Sequence, residues 1–186
     1  MDGVLCRPIT WLNLVISRDV ARPLDLTRGS PKSSTSLTRQ IVDTRAVETI
    51  RYAWRRPLPR VGDGVAALAD VRRLVLLSGR PERARRETER WLVRHKLRDY
   101  FSQIVLNDGD LPNASFKLLT IRERGSREHV DDDGRVAFLL ATEANQTVFL
   151  ISWLGNAVLP YPVGVRRVRN LVEAANLIRN GDQVST

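Results

Sequence analysis

Only one cysteine, Cys6, occurs in the 186 residues. An internal disulfide framework is therefore excluded, and the chain suits a reducing compartment. Cys6 itself reads as a small buried hydrophobe rather than a nucleophile. Aromatic residues make up 6%, and they do not alternate with basic ones as a base-stacking platform would need. No apolar run approaches the roughly 20 residues that span a bilayer. Asp2 and Arg7 interrupt the one stretch that could serve as a signal peptide. Zinc-type Cys/His spacings and internal repeats are missing as well. These absences lead us to expect a cytoplasmic protein without a membrane partner.

Hydrophobic residues supply 42% of the chain, enough for a real core. Thirty Lys and Arg against 21 Asp and Glu leave a formal net charge of +9. Such an excess favours anionic partners: phosphorylated metabolites, nucleotides or nucleic acid. It is nearly all arginine spread over several segments, which equally describes a solvated basic surface. Nucleic acid is thus an open but unfavoured partner.

Residues 27–38 are rich in Ser, Thr, Gly, Pro and Arg without periodicity and read as a loop. Asp43 can cap a helix reaching about Trp54, with Ala46, Val47, Ile50 and Trp54 on one face. Pro57 and Pro59 end that element. We take residues 12–58 as a cap or insertion, in which Trp11 at its edge and Trp54 serve a small core or screen a site. Residues 1–11 and 59–186 form the main domain.

After residue 58 the pattern alternates. Val65 to Leu68 is a short helical stretch, and Leu74–Leu77 is a continuous apolar run expected of a buried parallel strand. Pro81 suits a first helical turn, and Ala84, Thr88, Trp91, Leu92 and His95 then share a helical face. Ile104–Leu106 is a second strand. Ser115 can cap a helix carrying Phe116, Leu118, Leu119 and Ile121. His129–Val130 is a third strand, residues 137–144 a helix, and Thr147–Ile151 a fourth strand. Val168, Leu171, Val172, Ala175 and Ile178 mark a last helix closing near Gly181. The expected architecture is α/β: a Rossmann-like three-layer α/β/α domain with a mostly parallel sheet.

In such sheets ligands bind beyond the carboxyl ends of the strands. Ser78-Gly79-Arg80 follow the first run and Asp131-Asp132-Asp133 the third. Lys117 lies early in the helix after the second, and Asp2-Gly3-Val4 opens the chain. A hydroxyl and backbone N–H groups at a helix start bind phosphate oxygens. A lysine supplies a point charge for the same oxygens. Adjacent carboxylates repel and call for a cation, and magnesium favours oxygen ligands. Asp133 can instead cap the helix that follows. Arg80 touches substrate or the surface, His129 belongs to the core or supports its acidic neighbours, and His95 receives no role. Asn107, Asp108, Trp153 and Asn156 follow strands and can rim a pocket.

Taken in order, these residues resemble the motifs of the haloacid-dehalogenase-like (HAD) superfamily of phosphohydrolases. Asp2-Gly3-Val4-Leu5 looks like the second half of its Asp-x-Asp-Gly first motif. Ser78 looks like the second motif, Lys117 like the third, and Asp131-Asp132 like the fourth. The resemblance implies a Mg2+-dependent phosphatase that works through an aspartyl-phosphate on a small phosphorylated molecule or nucleotide. Asp2 would be general acid and base. Ser78, Gly79 and Lys117 would hold the phosphoryl oxygens, while Asp2, Asp131 and Asp132 would hold the metal.

The chain departs from that pattern at one point. The attacking aspartate should stand two positions before Asp2, and Met1 fills the position between. The hydrophobic strand expected ahead of that motif is also missing. Two strands would then border a slot of unpaired backbone groups, each costing about 1–3 kcal/mol if buried. We therefore expect a truncated or misassigned start. The alternative is an inactive relative that keeps the phosphate and metal pocket for binding.

Overall fold

The computed structural model describes residues 1, 3–7, 55–109, 111–157 and 160–184. Asp2, the loop at 27–38, the helix expected from Asp43 to Trp54, Trp11 and most of the proposed cap lie outside the described residues. Both ends of that stretch are visible and adjacent. The Arg7 amide donates to the Arg56 carbonyl (2.9 Å), and the Leu58 amide to the Leu5 carbonyl (3.0 Å). Cys6 pairs with Pro57 in an antiparallel bridge.

The rest alternates helix and strand: α1 (Val61–Ala69), β1 (Leu74–Pro81), α2 (Arg85–Arg94), β2 (Phe101–Asn107), α3 (Asn113–Arg124), β3 (Glu128–Asp131), α4 (Gly134–Glu143), β4 (Thr147–Ile151), β5 (Val165–Val168) and α5 (Leu171–Val184). All strand pairing within these elements is parallel, as the alternation predicts: β1 with β2, and β3 with β4 with β5. Side chains alternate across each strand. Leu76, Phe149 and Ile151 pack with Val65, Leu68 and Ile178 of α1 and α5, in a core that also includes Ile104 and Val168. Leu77, Val148 and Leu150 pack with Leu118, Ile121, Val136 and Leu140 of α3 and α4. Each cluster joins residues of both strand groups, so the two groups form one layer between two helical layers.

Several boundaries differ from expectation. Val168 belongs to β5, not to the last helix. The strand Val-Arg-Arg-Val has exposed arginines at its centre and carried no apolar signal. α5 runs through Gly181 to Val184 instead of ending near Gly181. Ser115 is inside α3; Pro112 holds the N-cap position, and its fixed φ suits the entry to a helix. Asp133 does cap α4, accepting the Arg135 amide at 2.9 Å. Cys6 is fully buried, as a small hydrophobe should be. His95 follows α2 and lies against Trp91, ring centroids 4.5 Å apart.

Among the described residues the sheet is not continuous. β1 and β3 have no partner on their facing edges among the described residues. They run in the same direction, since Arg72, just before β1, reaches Glu128, the first residue of β3 (2.7 Å). The same guanidinium holds Asp182 of α5 at 2.7 Å. Two carboxylates on one guanidinium raise its pKa further, so Arg72 is a permanent cationic tie across the amino ends of the two strand groups.

Candidate functional site

The short strand β3 delivers its last residue, Asp131, to the carboxyl edge of the sheet, where it is 2% exposed. Burial opposes its ionisation, but charge and hydrogen bonding overcome that cost. Lys117 Nζ of α3 lies 2.6 Å from Asp131 Oδ2, and His129 Nε2 lies 2.9 Å from the same oxygen. The backbone amides of Asp132 and Asp133 donate to Oδ1 at 2.9 and 3.2 Å. The carboxyl of Asp131 is thereby held far below its ordinary range. Lys117 is raised in turn: burial works against its charge, and the Asp131 carboxylate outweighs it. Burial pushes His129 down despite its bond to Asp131. A neutral imidazole donating from Nε2 to a fixed carboxylate accounts for both.

Asp132 is the opposite case. Among the described residues no donor meets its carboxylate. Burial, reinforced by the neighbouring Asp131 charge, pushes its pKa up to about 7 against a partial downward pull from the Met1 ammonium and Lys117. Its backbone is firmly fixed, because Trp153 Nε1 and Asn156 Nδ2 both donate to its carbonyl, at 3.0 and 3.1 Å. Asn156 also donates to the Ile151 carbonyl at 2.8 Å and is 2% exposed. The two residues expected at the pocket rim therefore position Asp132 from behind.

Gly3 completes this corner. Its φ is +78°, in the left-handed region, and a Cβ built there would lie 1.7 Å from Asp132 Oδ2. Only glycine combines that backbone with that approach. The Asp132 carboxylate thus rests on the Gly3 backbone. Asp132 and Gly3 line one end of a cavity of about 440 Å³, together with Arg60, Ser152, Trp153 and Arg169.

Ser78 and Gly79 reach the same edge from β1. The β1–β2 register is regular from Val75 opposite Gln103 through Ser78 opposite Leu106 and then shifts, with Pro81 opposite Asn107. Gly79 and Arg80 form the bulge between, rather than the start of a helix as expected. A Cβ at Gly79 would meet Asn113 Oδ1 at 2.1 Å, so this glycine lets the bulge pack on the first residue of α3. Ser78 is buried and its Oγ accepts the Arg80 amide at 3.4 Å. Arg80 is buried too, away from the surface, and donates to Thr88 Oγ1 at 3.1 Å and to Cys6 Sγ at 3.9 Å. No hydrogen bond links Ser78 or Gly79 to the Lys117–Asp131 pair among the described residues. Asn107 organises its own loop, donating to the Leu111 carbonyl at 2.8 Å.

The structure thus joins Lys117, His129 and Asp131 directly, sets Asp132 against Gly3, and brings Ser78 and Gly79 to the same edge without contact. No set of three metal-ligating side chains converges among the described residues. Magnesium commonly uses one or two carboxylates and keeps several waters. Asp132, which meets no donor among the described residues and lines a cavity, is the described side chain that suits it. Nothing in the sequence signalled that Trp153 and Asn156 hold the Asp132 carbonyl, since that contact depends on how the loop after β4 folds back. Compared with known proteins, the chain matches no family model and no curated protein. Among the described residues no helix is long and apolar enough to cross a membrane.

Proposed function

We propose that this chain carries the phosphate- and magnesium-binding half of a HAD-like phosphohydrolase site. The observation that supports it best is the seating of Asp132 on Gly3, which joins the first and fourth motif-like segments at one sheet edge. Asp132 and Asp131 would hold magnesium together with Asp2, and the ion would offset phosphate charge. Lys117 supplies a buried, permanent cation beside them. Ser78 and the bulge at Gly79 offer a hydroxyl and backbone amides for phosphoryl oxygens. Attack on phosphorus requires a carboxylate two positions before Asp2, with Asp2 passing a proton to the leaving oxygen and later taking one from water. The substrate is a phosphorylated small molecule or nucleotide reaching the cavity bordered by Arg60 and Arg169.

A second reading is favoured by the Lys117–Asp131 contact. With its ammonium already engaged at 2.6 Å, the pocket suits binding without turnover. The test is hydrolysis of p-nitrophenyl phosphate with magnesium, comparing this chain with one bearing an added Asp directly before Met1. Turnover only in the second, lost on Asp132→Asn, is the expected result. Magnesium and orthophosphate binding without turnover in either would favour the binding module; no binding of either ion would refute both. The +9 charge leaves a nucleic-acid partner as a further alternative, to be checked by salt-dependent DNA or RNA binding.

A further inference from the structure

The cavity of about 440 Å³ that Asp132 lines is also lined by two arginines that the metal and phosphate groups of the site do not employ. Its walls come from two parts of the fold. Gly3, Asp132, Ser152 and Trp153 belong to the sheet edge, whereas Arg60, Val61, Arg169 and Leu171 belong to the starts of α1 and α5. The two helix starts abut: a Cβ at Gly64 would lie 2.5 Å from Leu171 Cβ. Arg60 immediately precedes α1, and Arg169 stands two positions before α5. That contact therefore brings both arginines to one wall. Arg60 holds the left-handed conformation, φ 56°, at the N-cap of α1 and makes no capping hydrogen bond. Ser, Thr, Asp or Asn would stabilise that position, so the arginine there does nothing for its helix.

Each guanidinium pairs with a carboxylate in the first turn of its helix. Arg60 Nε lies 3.2 Å from Asp63 Oδ2, and Arg169 Nε lies 3.0 Å from Glu173 Oε2. Exposed pairs of this kind are weak, and one carboxylate does not saturate the five N–H donors of a guanidinium. The two arginines line the cavity, while Asp63 and Glu173 do not. The cavity thus meets the cationic partner of each pair.

We infer that this wall binds a second oxyanion, so that the substrate is a phosphomonoester carrying a carboxylate or a further phosphate across an apolar spacer. This class rests on the phosphohydrolase reading, which it narrows. The phosphoryl group would sit at the Asp132 side, and Arg60 and Arg169 would take the other group. A planar guanidinium matches either oxyanion through paired N–H···O bonds. Leu58, Val61, Ile151 and Val172 also line the cavity and suit a short hydrocarbon spacer. A nucleoside monophosphate ends in an uncharged base, leaves the arginines unused and should be a poor ligand.

The experiment is isothermal titration in millimolar magnesium with phosphonates, which resist hydrolysis. Carboxyalkyl phosphonates from phosphonoacetate to phosphonohexanoate are each compared with the alkylphosphonate of equal length. Alkane bisphosphonates run beside them tell a carboxylate from a second phosphate. In at least one pair the doubly anionic ligand should bind about ten-fold more tightly or better. Arg60→Gln and Arg169→Gln should each lower that ratio, and together they should bring it to about one. Arg179→Gln, exposed on α5 away from the cavity lining, should leave the ratio intact, which sets the local site apart from the general +9 charge. Both cavity arginines are exposed, so the double variant should fold, and circular dichroism checks that it does. Equal affinities within every pair, a ratio that survives the double substitution, or an equal fall with Arg179→Gln would overturn the inference and leave the phosphohydrolase reading in place. Absence of binding by every phosphonate, the alkyl ones included, would remove that reading and the inference with it.

Discussion

Replacing Asp132 with Asn should stabilise the metal-free protein at alkaline pH, although the residue lies at the centre of the proposed site. Burial and the Asp131 charge raise its carboxyl from 3.8 to about 7. The folded state therefore binds this proton more tightly than the unfolded chain does. Below the unfolded value both states are protonated and the residue is neutral in its effect. Between about pH 4 and 7 the unfolded chain releases the proton first, so stability falls as pH rises. Above about pH 7 the full penalty applies, about 4 kcal/mol at about 1.4 kcal/mol per pH unit. Against a typical total of roughly 5–15 kcal/mol this is a large fraction. Asn cannot ionise and matches the shape, so Asp132→Asn should gain up to about 4 kcal/mol over the parent at about pH 8 and little at about pH 4. Urea denaturation across that range measures the difference directly. Millimolar magnesium should narrow the gap at high pH by stabilising the parent more than the variant. A stability difference that does not change with pH would refute the argument, because it would mean that Asp132 is solvated or already paired.

Lys117→Met should cost about 3–5 kcal/mol in urea denaturation, since it leaves the buried Asp131 charge uncompensated, and Asp131→Asn added to it should recover a large part. Gly3→Ala should lower stability by at least about 1 kcal/mol and abolish any magnesium-induced rise in Tm, because its Cβ would displace the Asp132 carboxylate. Asn156→Ala removes three hydrogen bonds at one buried side chain. It should cost about 2 kcal/mol in thermal unfolding, and magnesium affinity should weaken with it, whereas Asn156→Asp should keep only the bond accepted from the Trp153 amide.

The alternation of strands and helices was legible because it depends on local pattern. Leu74–Leu77 and Val148–Ile151 are apolar without interruption, as strands covered on both faces must be. β5 was not legible: with Arg166 and Arg167 at its centre, it owes its place to pairing with β4. The roles of Asp131 and Asp132 could not be separated along the chain, where they are adjacent carboxylates. They differ only because β3 turns one toward Lys117 and His129 and the other toward Gly3. Ser78 was placed correctly at the end of regular pairing, but the bulge that follows depends on Asn113 packing against Gly79, a contact between residues 34 positions apart in sequence.

What the sequence determined by itself was the class of fold and which polar residues follow each strand. Periodicity and residue type are local properties, and each strand end carries its polar residues with it. Tertiary structure alone decided which carboxylate pairs with Lys117 and which, among the described residues, meets no donor. It also decided that, among the described residues, β1 and β3 belong to separate strand groups. Both outcomes depend on distances between segments far apart in the chain, and in a buried, low-dielectric edge a shift of a few ångströms changes a charge from stabilised to costly.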